Sequence, residues 1–87
     1  MIKSIIQKYV EKLTTSDIIS FAKTNGVCLN NDELSIIYNT IKNDWYTIIF
    51  GDYQIILKKI SPNLKSDTIK KIEELILLYK DKYKNYL

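Results

Sequence analysis

Apolar residues return at intervals of three and four along nearly the whole of this chain. Short polar clusters interrupt them where a helix needs a cap. Only two glycines and one proline are available to bend the backbone, so the period restricts the fold to helices packed by apolar stripes. Ile2, Ile5, Ile6, Tyr9, Val10 and Leu13 make the first stripe, with Lys3, Gln7, Lys8, Glu11 and Lys12 on the wet face. Thr14-Thr15-Ser16-Asp17 then offers capping oxygens and an acid for the first turn of a second helix. That helix carries Ile18, Ile19, Phe21 and Ala22 and stops at Asn25-Gly26, where glycine permits a left-handed cap.

The next start signal is the sharpest. Asn30 is placed to accept the amide of Glu33 while the Glu33 carboxylate reaches back, and Leu29 and Leu34 sit where a hydrophobic staple requires them. A third helix follows, with Leu34, Ile37, Tyr38 and Ile41 on one face, fading at Asn43-Asp44. Residues 45–50, Trp-Tyr-Thr-Ile-Ile-Phe, have the β-branched and aromatic content of an extended run. With no second strand to join, they read as a short buried connector or an extension of helix three. Asp52 caps a fourth helix through Tyr53, Ile56, Leu57 and Ile60, which Ser61-Pro62 breaks. Ser66-Asp67 opens the fifth and longest, with Ile69, Ile72, Leu75, Ile76, Tyr79, Tyr83 and Tyr86 as its stripe.

An offset of 35 residues pairs Asp17 with Asp52, Lys23 with Lys58, Leu29 with Leu64, Asp32 with Asp67, Ile37 with Ile72 and Ile41 with Ile76. It supports two helix–loop–helix units after a leading helix. The expected fold is therefore all-α: one domain over residues 1–87, a bundle of about five helices. A chain this short buries only about 60–65% of its unfolded surface, which favours association.

Leu13-Thr14 stands ahead of Asp17-Ile18-Ile19, then Phe21-Ala22-Lys23, Gly26-Val27 and Leu29, followed by Ile56-Leu57-Lys58-Lys59-Ile60-Ser61-Pro62, Thr68 and Ile72, and together they form a pattern. Over roughly residues 10–80 it resembles a small family of Gram-positive bacterial proteins classed only as a domain of unknown function. The resemblance implies an all-helical bacterial cytoplasmic protein and supplies no activity. The bulky Trp45–Phe50 segment departs from the family pattern.

Composition narrows the functions. There is no histidine and no arginine, and Cys28 is the one cysteine. The commonest general base, the commonest metal ligand and the bidentate phosphate fork are thus missing together. Glu73 and Glu74 are adjacent on a helix and point in different directions, so they make a poor acid–base pair. Cys28, following Val27 in a loop, reads as a small buried apolar residue rather than a reactive thiol. No enzyme activity, cofactor or metal is expected. A single cysteine suits a reducing cytoplasm. Charges at Lys3, Lys8, Glu11 and Lys12 interrupt any signal-peptide core, and no apolar run reaches membrane-spanning length, so no membrane partner is expected.

Two binding readings remain. Trp45, Tyr46, Phe50 and Tyr53 crowd into nine residues, and a core this small has limited room for them; they are the candidate anchors for a protein partner or a second copy. Residues 1–44 hold five lysines and five acids, whereas residues 45–87 hold eight lysines and five acids. Lys70, Lys71, Lys80, Lys82 and Lys84, interleaved with Tyr79, Tyr83 and Tyr86, give the alternative: a phosphate-tracking face with stacking rings for nucleic acid. The two helices from Ile18 to Lys42 resemble a helix-turn-helix, but Asn31-Asp32-Glu33 would bring carboxylates to the DNA.

Overall fold

A computed structural model describes residues 2–82 and 84–86, apart from the side chain of Tyr86. Among these residues the secondary structure is all helical: α1 (Ile2–Lys12), α2 (Thr15–Thr24), α3 (Asn31–Phe50), α4 (Tyr53–Ile60) and α5 (Ser66–Lys82). Short 3-10 turns occupy Ser61–Asn63 and Lys84–Tyr86. The chain forms two compact units, Met1–Asn43 and Asp44–Leu87, and the boundary falls inside α3.

In the first unit the caps form as the sequence requires. Thr14 Oγ1 accepts the Asp17 amide at 3.2 Å, and the Asp17 carboxylate accepts the Thr14 amide at 2.9 Å. At the other end of α2, Gly26 has φ +75°. Its amide donates to the Lys23 carbonyl at 3.1 Å and that of Val27 to Ala22 at 2.8 Å, the two bonds of a Schellman cap. The Asn30 side chain then accepts the Glu33 amide at 2.8 Å, while the Glu33 carboxylate accepts the Asn30 amide at 3.3 Å. Lys42 of α3 donates to the carbonyls of Val10 and, at 3.0 Å, Glu11, at the C-terminal end of α1, and lies over the Tyr38 ring. An ammonium there joins the Leu13 amide on the Val10 carbonyl, adds a donor for that of Glu11 and complements the negative helix end. Within α2 only Ile18 and Ala22 are buried; Ile19 and Phe21, expected in the same stripe, are exposed.

The second unit holds the last part of α3, then α4 and α5. The fade expected at Asn43-Asp44 does not occur: α3 runs on through Trp45–Phe50 as unbroken helix. Its apolar stripe explains this, since Leu34, Tyr38, Ile41, Trp45 and Ile48 keep a four-three-four-three spacing that outweighs the local β preference. Gly51 ends it, donating to the Thr47 carbonyl at 2.9 Å. A Cβ on Gly51 would approach that oxygen to 3.1 Å. Asp52 caps α4 by accepting the Gln54 amide at 3.0 Å. Ile56, Leu57 and Ile60 of α4 are buried. In α5 the residues Ile69, Ile72, Leu75 and Ile76 are half-buried, but Tyr79 of the same expected stripe is exposed. Tyr83 and the Tyr86 side chain lie outside the described residues.

The two units share a plan. Ile18 and Ala22 stand four and eight residues after the cap Thr14, as Ile56 and Ile60 do after Asp52, and all four are buried. The two buried polar side chains among the described residues are Glu33 and Thr68. They lie 35 residues apart, each near the start of its helix. Each unit also has a lysine from its last helix bonded to a carbonyl at the end of its first: Lys42 to α1, and Lys80 to the Gly51 carbonyl at 3.5 Å. The offset of 35 therefore holds for α3 against α5. The capped helices α2 and α4 align at 38 (52 − 14), so Asp17 and Asp52, paired in the sequence, occupy different cap positions.

Candidate functional site

The end of α3 gathers the aromatic residues. Trp45 continues the inner stripe and is half-buried, whereas Tyr46 is one residue, about 100°, further round the helix. Phe50 lies one turn beyond Tyr46 on that second face. The Trp45 and Tyr46 rings meet edge to face, with centroids 5.8 Å apart and planes at 78°. Tyr46 and Phe50 are tilted at 40° with centroids 5.0 Å apart. Both separations fall in the attractive range for aromatic pairs. Tyr46 is 48% exposed, while Phe50 and Tyr53 are half-buried.

Tyr53 joins the group through a cation. Lys80 Nζ sits 5.1 Å from the Tyr53 ring centroid and 3.5 Å from the Gly51 carbonyl oxygen. The sequence assigns Lys80 to the phosphate-tracking face; the structure places it at the aromatic site. Nothing in the local sequence announces this, because the contact spans 27 residues (80 − 53). Asp44, at the head of the same stretch of α3, pairs with Lys59 at 3.5 Å.

The other C-terminal lysines do not make one face. Lys71 pairs with Glu74 at 3.7 Å and Lys84 with Asp81 at 3.7 Å. At 3.6 residues per turn Lys70 and Lys71 point about 100° apart, and Lys80 points about 80° to the far side of Lys70. Lys70 and Lys82 are exposed, about 120° from each other. Of the tyrosines meant to interleave with them, Tyr79 is exposed beside Leu77 and Leu78. In the helix-turn-helix segment Glu33 is turned inward by its cap, leaving Asn31 and Asp32 exposed.

Cys28 is exposed, against the expectation of a buried apolar role: it lies in the turn between the α2 cap and Asn30, where no apolar face claims it. Among the described residues no group of three or more cysteine, aspartate or glutamate side chains is arranged to hold a metal ion. No helix among them is long and apolar enough to cross a membrane. Comparison with protein-family models, with characterised protein sequences and with solved structures finds no match to this chain.

Proposed function

We propose that this chain is a non-catalytic helical protein of the reducing cytoplasm that works through protein contacts, as a homo-oligomer or small adaptor. The contact surface is the aromatic group of Trp45, Tyr46, Phe50 and Tyr53. One observation carries the reading: Tyr46 is half exposed, yet its ring is held by edge contact with Trp45 and tilted contact with Phe50. An aromatic fixed before binding loses little side-chain entropy on docking, which is how interface anchors gain affinity.

The alternative, weak non-specific nucleic-acid binding through Lys70, Lys71, Lys80, Lys82 and Lys84, draws its support from exposed Lys70 and Lys82. Lys71, Lys80, Lys82 and Lys84 all have partners within the chain, which weighs against it. Light scattering at low and high salt separates the two. Apolar association persists or strengthens at high salt and weakens in Tyr46→Ala, while phosphate binding collapses with salt. A monomer at every concentration, together with no partner captured by wild type and lost by Tyr46→Ala, removes the protein-contact reading.

A further inference from the structure

The first helix carries a face that the aromatic group does not account for. No side chain of α1 is buried among the described residues. Ile2, Ile6 and Val10 are half-buried, but Ile5 is 53% and Tyr9 74% exposed. Ile5 and Tyr9 are one turn apart, and Lys8 and Lys12 make a parallel row, so the four side chains share an arc of about 100°. Both lysines are exposed, and neither pairs with an acid among the described residues. Glu11, the one acid of α1, lies about 110° from the centre of that arc and accepts from Gln7 at 3.3 Å.

We propose that this face of α1 rests on a membrane surface rich in anionic phospholipid, with Ile5 and Tyr9 entering the headgroup–acyl boundary and Lys8 and Lys12 on the phosphates. Charge complementarity selects the occupant. A bilayer interface takes all four side chains at once: lysine stems lie along the apolar boundary while their ammonium groups reach the phosphates. A tyrosine ring with its hydroxyl matches the interfacial belt. An acidic protein surface would satisfy the lysines and leave Ile5 and Tyr9 in need of a pocket. The binding is in the plane of the membrane, so the lack of a spanning helix among the described residues does not oppose it. The sequence expectation of no membrane partner rested on the charges that interrupt a signal-peptide core and on span length, neither of which bears on in-plane binding.

The test is co-sedimentation of the whole protein with vesicles of phosphatidylcholine alone or in equal mixture with phosphatidylglycerol. Wild type binds the mixed vesicles and not the neutral ones. Each lysine near an anionic surface contributes about a fivefold factor, so Lys8→Gln/Lys12→Gln weakens binding about 25-fold. Ile5→Ser/Tyr9→Ser weakens it at least about tenfold. Lys70→Glu/Lys82→Glu binds like wild type, which separates this face from a general attraction of the basic second half. All substituted side chains are exposed, and circular dichroism checks that helicity is kept. Failure of wild type to bind the mixed vesicles overturns the proposal, as does unchanged binding by the α1 variants. Capture on immobilised polyglutamate without binding to vesicles overturns it in favour of an acidic protein.

Discussion

Replacing Glu33 by alanine isolates the box that opens α3. The side chain is only 2% exposed and accepts the Asn30 amide, while Asn30 accepts the Glu33 amide. Losing the Asn30 side chain removes one capping bond, so Asn30→Ala costs about 1 kcal/mol. Losing the Glu33 side chain removes a charge-assisted bond and leaves the Asn30 amide without its acceptor, a cost of about 2–3 kcal/mol. Glu33→Gln keeps an acceptor oxygen and removes only the charge at the positive helix end, about 0.5–1 kcal/mol. For a chain of this length 1 kcal/mol moves the melting temperature by about 4–8 °C. Thermal and urea unfolding of the three variants should therefore rank Glu33→Ala well below Asn30→Ala and Glu33→Gln. The Asn30→Ala/Glu33→Ala double variant should lose less than the sum, because both single changes break the same reciprocal pair. A Glu33→Ala variant within about 0.5 kcal/mol of wild type, the range of ordinary surface changes, would refute the placement of this carboxylate inside the cap.

Gly26→Ala should destabilise by about 1 kcal/mol through its positive φ alone, since an added Cβ meets nothing within 4 Å; equal stability by urea denaturation would contradict the left-handed cap. Lys42→Met keeps the aliphatic stem and removes the donor to Val10 and Glu11. It should cost about 1 kcal/mol and raise hydrogen exchange in the last turn of α1 while leaving α4 unchanged. Cys28 should react with a thiol-specific reagent in the native protein without denaturant, and a need for denaturant would restore the buried reading.

Helix starts were the legible part of this fold, because a cap is a local bargain between a side-chain oxygen and an amide three residues away. Thr14, Asn30 and Asp52 all cap as their sequence context implies. The length of α3 was less legible. Asn43-Asp44 and the β-branched run after it resemble a boundary, and only the continuing stripe through Trp45 and Ile48 overrides them. Which apolar residues would be buried was not readable either. Ile18 and Ile19 are chemically identical neighbours, yet helix geometry buries the first and exposes the second. The aromatic site was visible as a cluster in sequence, but its cation was not: Lys80 reaches Gly51 and Tyr53 from a separate helix.

The boundary between the units lies within α3 rather than in a loop, and this bears on how the chain leaves the ribosome. Residues Met1–Asn43 emerge before the rest of α3, and the helix that closes that unit is not complete until Phe50 has been added. At synthesis rates of about 5–20 residues per second, the nascent first unit spends a fraction of a second or more with the carbonyls of its last turn open to water. The same geometry makes a cut at the boundary a poor way to separate the halves. It would create two new helix ends, each leaving about four backbone groups without intrahelical partners. A gene fragment ending at Phe50, which carries α3 to its natural stop, is the shortest piece from Met1 that contains the whole first unit and cuts no helix.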